Sequence, residues 1–170
     1  MPLPLIALLA CTNDPSGPDD PVVLDPGIEL GTGLDRFVSL DDGDDIVIIF
    51  GPQGGYHLEG SILVQGIDPG SANDLSDPRN PLTTFQVRRE DGTIVSGLQG
   101  ADTVDFRQGI AASDTPGVYQ MIGRRILLDI QDDSELEGQT LTVSVTVEDA
   151  DGVSLSDERA VIGVASFYND

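Results

Sequence analysis

The sequence predicts an all-β domain, an antiparallel β-sandwich of about seven to nine strands. Three observations predict it. From Gly27 onward apolar residues recur with a period of two rather than 3.6. With aromatics at 5% and no Trp, the core must be built from Val, Ile and Leu, and β-branched side chains pack best on a pleated surface. Twenty glycines and 11 prolines punctuate the chain as short strands require. No helical pattern runs longer than one turn, the candidate being Ser134 to Gly138.

Each strand has its own justification. Arg36 to Leu40 is a short candidate. Ile46 to Phe50 (IVIIF) is a continuous apolar run, which predicts a central strand or one covered on both sides. Leu58, Gly60, Ile62 and Val64 alternate with Glu59, Ser61, Leu63 and Gln65. Phe85 and Val87 alternate with Gln86 and Arg88, and Asp91-Gly92 then turns the chain into Thr93-Ile94-Val95. Val118 to Ile122 is a second short candidate, and Arg124 to Ile130 places Ile126, Leu128 and Ile130 on one face. The clearest case is Thr140 to Glu148 (TLTVSVTVE), with Leu141, Val143, Val145 and Val147 on one face and Thr140, Thr142, Ser144, Thr146 and Glu148 on the other. Asp149-Ala150-Asp151-Gly152 makes a tight turn into Val153 to Ala165. Apolar residues there change from odd to even positions, which predicts a bulge or a sheet switch near Asp157-Glu158-Arg159.

The closing hairpin, LTVSVTVEDADGVSLSDERAVIGV, is similar to the last two strands of immunoglobulin-like domains of bacterial surface proteins. The resemblance implies an immunoglobulin-like topology for residues 28–168; the Cys-Trp-Cys core of antibody domains is absent. Residues 28–68, including GPQGGYHLEGSILVQGIDPG, look like segments of uncharacterised lipoproteins from GC-rich bacteria, a likeness that implies no activity.

The amino terminus reads as an address. Leu3 to Ala10 (LPLIALLA) is apolar, ends on a small residue and meets Cys11, the sole cysteine. About eight residues are too few to span a bilayer, which takes about 20, but suit the apolar region of a secretory signal. Leu8-Leu9-Ala10-Cys11 resembles the bacterial lipobox. That resemblance implies cleavage before Cys11, diacylglycerol on its thiol and a membrane partner reached through the lipid. Met1-Pro2-Leu3-Pro4 lacks the basic residues with which such signals begin, so either the true start lies upstream, as expected, or their absence is chance. Residues 1–10 are therefore expected to be signal-like. Residues 11–27, rich in Pro, Asp and Gly, are expected to be a lipidated flexible tether leading to a cell-envelope location, outer membrane or surface rather than inner membrane.

Thirty acidic residues face eight basic ones, all Arg, for a net charge of −22. Phosphate backbones would be repelled, which argues against nucleic acid as a partner. Calcium is the cofactor that such a surface can hold. Oxygen ligands are plentiful in Asp41 to Asp45, in Asp129 to Asp133 and in the pair Asp149 and Asp151, although none follows the twelve-residue calcium loop. A single histidine, His57, and a single cysteine exclude a zinc site of several His or Cys ligands, and no nucleophile elbow is present. His57 extends the polar face of Glu59 and Ser61, which predicts a surface position. The loop Gly51 to His57 (GPQGGYH) is the candidate ligand loop, with Gln53, Tyr56 and His57 as hydrogen-bonding groups.

The expected function is a non-enzymatic binding or structural module of the cell envelope with a protein or glycan partner. Two alternatives stand beside it: a calcium-dependent module using the Asp-rich loops, and a hydrolase using the loop around His57.

Overall fold

The computed structural model describes residues 27–166. The signal-like segment, Cys11 and most of the tether lie outside the described residues. Ten strands and one 3-10 turn make up the described chain, and the all-β expectation holds. The strands are β1 (Ile28–Thr32), β2 (Val38–Ser39), β3 (Asp45–Phe50), β4 (Tyr56–Gln65), β5 (Leu82–Arg89), β6 (Val104–Arg107), β7 (Ala111–Ala112), β8 (Val118–Leu128), β9 (Thr140–Glu148) and β10 (Ser154–Ala165). The 3-10 turn, Asp133–Glu135, falls where one helical turn was expected.

A single hydrogen-bonded path runs β2-β1-β4-β3-β10-β9-β5-β6, while β8 takes the other edge of β4 and β7 pairs with β8. The sheet is mixed. β3 runs parallel to β10, with Ile162 opposite Asp45 and Ala165 opposite Ile48, and every other ladder is antiparallel. The last two residues of β3 leave β10 and pair with the start of β4, Ile49 opposite His57 and Phe50 opposite Tyr56. One strand therefore hands the sheet from one half to the other.

The sheet curls so that apolar faces meet. Phe85, Val87, Leu141, Val143, Val145 and Val147 on β5 and β9 share one buried cluster with Leu58, Ile62, Val64, Met121, Ile126 and Leu128 on β4 and β8. Gly60 marks a place of tight packing. A Cβ there would lie 2.7 Å from Ile126 Cδ1 and 3.0 Å from Phe85 Cε1, closer than real side chains pack.

The structure departs from the period-two reading in several places. β10 pairs with β9 without a slip from Ser154 opposite Glu148 to Ile162 opposite Thr140, so the expected bulge near Asp157 is absent. Odd residues face inward throughout, and the two polar ones, Asp157 and Arg159, pair with each other there. Asp157 Oδ2 also accepts from the Leu30 amide at 2.8 Å, and Arg159 Nε donates to the Leu40 carbonyl at 2.8 Å. A polar latch between β10 and the chain around β1 had imitated a change of phase. β3 is central, between β4 and β10, as one of the two expectations had it, but it is not covered on both sides: Ile46 and Ile48 are buried, while Val47 and Phe50 are 45% and 50% exposed. The two segments Val118 to Ile122 and Arg124 to Ile130 merge into β8, and Arg36 to Leu40 shrinks to β2. β1, β6 and β7 were not expected; Ile28-Glu29-Leu30 and Val104-Asp105-Phe106-Arg107 alternate, but over only three and four residues.

Candidate functional site

The ligand loop expected from the sequence does not converge. Strand alternation separates Tyr56 from His57. Tyr56 packs against the core, its ring centroid 5.1 Å from that of Phe50, while His57 lies on the opposite face of β4. Gln53 is exposed at the loop tip. Nor is His57 a surface residue, since only 5% of it is exposed. Its strand partners explain the burial. Ile49 of β3 and Leu127 of β8 stand opposite it on either side. On the β3 side, a Cβ on Gly51 would lie 3.7 Å from His57 Nδ1.

One step along that face is Glu59, also buried at 8%. His57 Nε2 lies 3.4 Å from Glu59 Oε1. The second oxygen, Oε2, is buried with no hydrogen-bond partner. A carboxylate has only acceptor sites to offer, so this oxygen lacks a donor where water does not reach it. Arg125 is in register with Glu59 on β8, but it is exposed and no ion pair joins the two among the described residues.

Glu59 lines a groove of about 530 Å³ at a fork in the sheet. β1 pairs with β4 as far back as Ser61, and β3 pairs with β4 only as far forward as His57. Between them the two strands diverge. The groove has Thr32, Gly33 and Leu34 on one wall, and Val47, Ile49 and Phe50 on the other. Asp45 and Ser166 complete it.

The β1 wall is pinned by hydroxyls. Thr32 Oγ1 donates to the Glu59 carbonyl at 2.7 Å, closing the apex of the fork. Ser61 Oγ donates to the Gly33 carbonyl and accepts from the Gly123 amide, each at 3.0 Å. The β4–β8 register shifts between Gly60 and Ile62, and Gly123, at φ +64°, occupies that irregularity. A Cβ on Gly123 would lie 2.6 Å from the Leu34 carbonyl oxygen, so the close approach that seats Leu34 depends on glycine there.

This arrangement bears on catalysis. A histidine beside a carboxylate is the base-and-orienter half of a nucleophilic site. The hydroxyl next along the face, that of Ser61, is held by two backbone groups rather than by His57.

Several of the aspartates singled out for calcium accept hydrogen bonds from the chain itself. Asp149 is buried, and its carboxylate accepts from the amides of Asp68 at 2.9 Å, Asp151 at 3.0 Å and Val153 at 2.8 Å. Those backbone donors, that of Asp68 foremost, hold its pKa below 3.8. Asp151 is exposed and contributes its amide to that turn. Asp42 accepts from the Ala160 amide, and Asp132 caps the 3-10 turn. No three His, Cys, Asp or Glu side chains gather in a metal-holding group among the described residues.

Sequence reasoning placed His57, Glu59 and Ser61 on one face but missed Glu59 as the residue of interest. The available signal was an ionisable residue in a strand whose neighbours are apolar. Leu34, Val47, Ile49 and Phe50 come from other segments, and no local pattern joins them to it.

No protein-family model matches the chain, and no curated protein matches it.

Proposed function

We propose that this chain is a non-enzymatic binding module of a bacterial cell envelope, held to a membrane by lipid on Cys11 and built as an immunoglobulin-like β-sandwich. The groove between β1 and β3 carries the binding reading. It is concave and largely apolar, within the size range of small-molecule sites, and one of its lining residues, Glu59, has a carboxylate oxygen buried without a partner.

The sandwich topology is supported by the division of the ladders. β2-β1-β4-β8-β7 form one antiparallel run and β10-β9-β5-β6 another, with β3 belonging to both. One buried cluster draws on both runs, as two face-packed layers would. The anchored location is supported by residue order: apolar run, small residue, sole cysteine, acidic tether. At about 0.8 kcal/mol per buried CH₂, two or more acyl chains are enough for stable anchoring.

Detergent-phase partitioning of the native protein, followed by mass spectrometry of its amino terminus, tests this reading. The expected result is recovery in the detergent phase with a first residue of acylated Cys11. Recovery in the aqueous phase with an unmodified Cys11 thiol inside an uncut chain would overturn the location.

A further inference from the structure

We infer that the groove at the β1–β3 fork binds a small organic ammonium ion, a protonated amine carried on an alkyl or aryl body, with Glu59 as its counter-ion. The inference rests on the reading of this groove as a binding site and gives its ligand a chemistry.

Glu59 supplies the polar half of the argument. Its side chain is nine-tenths buried, and Oε1 alone has a neighbour, His57 Nε2 at 3.4 Å. Oε2 faces neither a donor nor solvent. Buried acceptors are nearly always satisfied, and the cost of leaving a charged one bare is high. A ligand that brings an N–H donor and a positive charge satisfies both needs at once. A ligand carboxylate would add repulsion, and a hydroxyl would supply the donor without the charge.

The walls supply the apolar half. Val47 and Phe50 are about half exposed, and Leu34 is 63% exposed, in a chain that buries most of its large hydrophobic residues. Val47, Ile49 and Leu34 offer aliphatic surface beside the carboxylate. Phe50 belongs to the same wall, its ring packed 5.1 Å from that of Tyr56. Asp45, on the same groove, adds a second negative charge, and the net charge of −22 raises the local concentration of any cation. Arg125, the cation in register with Glu59, is turned to solvent and leaves the position open.

The test uses the full chain and three eight-carbon probes that differ only in the head group: n-octylammonium, 1-octanol and octanoate. Titration calorimetry at moderate salt should give one saturable site for n-octylammonium, at least tenfold tighter than for 1-octanol, with no measurable binding of octanoate. Glu59→Gln preserves shape and removes the charge, and should weaken n-octylammonium at least tenfold while leaving 1-octanol within twofold. Asp105→Asn, on the distant strand β6, controls for adsorption to the acidic surface and should change nothing. Circular dichroism and melting of each variant confirm that it is folded. Should Glu59→Gln misfold, Val47→Asn on the groove wall takes its place and should weaken both n-octylammonium and 1-octanol.

Equal affinity for n-octylammonium and 1-octanol would overturn the ammonium assignment and leave an apolar binding module standing. An n-octylammonium affinity indifferent to both Glu59→Gln and Val47→Asn would overturn the site itself. A concentration-dependent dimer that is broken by Val47→Asn and excludes n-octylammonium would overturn the inference in favour of a second copy. Binding seen only in a chain ended at Ser166 would overturn it in favour of the chain's own last four residues. Because the lipid at Cys11 is read by mass spectrometry, failure of the anchored location and failure of the ligand are separate results.

Discussion

His57 Nε2 lies 3.4 Å from Glu59 Oε1 on the outer face of β4, and the two side chains are only 6% and 10% exposed. Removing one partner leaves the other buried without its neighbour, which costs more than removing the interaction as a whole. His57→Ala should therefore lower unfolding stability by about 1–3 kcal/mol. The double variant His57→Ala/Glu59→Gln should lose less than the two single losses added together. Urea denaturation of the four chains gives the coupling directly, and strict additivity would show that the two residues do not act on each other.

Gly60 sits between Ile126 of the neighbouring strand β8 and Phe85 of β5. Gly60→Ala should cost about 1–3 kcal/mol through overpacking. The nearest obstruction is Ile126 Cδ1 at 2.7 Å, and Ile126→Val deletes that atom. Adding Ile126→Val to Gly60→Ala should recover part of the loss, although Ile126→Val alone is destabilising. Thermal or urea unfolding checks the sign of the coupling.

Asp157 ties β10 to β1 through the Leu30 amide. Asp157→Ala leaves that amide without its acceptor and Arg159 without its ion-pair partner. The expected outcome is local. Amide exchange at Leu30 should accelerate at least tenfold, while the β9 amides that pair with β5 exchange at rates set by global unfolding. Uniform acceleration across the molecule would deny the latch a local role.

Asp149 links pH to stability. Backbone donors, that of Asp68 first, depress its folded-state pKa below 3.8. A depressed carboxyl stabilises the fold above its unfolded pKa, and that contribution disappears as pH falls through the folded value. The loss attributable to Asp149 therefore begins near pH 4 and grows toward lower pH. Asp149→Asn should reduce stability at pH 7, and its melting temperature should fall less steeply than that of the parent below pH 4. Parallel curves for the two chains would assign the acid sensitivity elsewhere.

Strand β9 was legible because every second residue is apolar and its ladders hold register on both sides, so local pattern and tertiary position agree. β3 was legible as a strand but not in its exposure, because a continuous apolar run is the same string whether a second layer covers it or a groove lies open beside it. β10 was misread for a different reason. Polar residues turned inward are invisible as such until their partners, Leu30 and Leu40, are known, and those lie more than a hundred residues away. β1 reads IELGT, and its alternation ends after Leu30; Gly31 is there because a Cβ would lie 2.4 Å from the Phe37 ring. The candidate site suffered most. The carboxylate and histidine sit two residues apart in one strand, but their burial comes from β3, β8 and the chain beyond β1, which only the folded topology assembles.

The parallel ladder between β3 and β10 has a consequence for synthesis. Residues 45–48 leave the ribosome early and find their edge partner only when residues 162–165 have followed, on the order of ten seconds later at ordinary elongation rates. Until then β3 can complete only its two-residue link to β4, and its apolar run stays available to neighbouring chains. Closure of this part of the sheet thus waits on the last strand of the described chain, so that the connectivity itself sets the order in which the two halves can join.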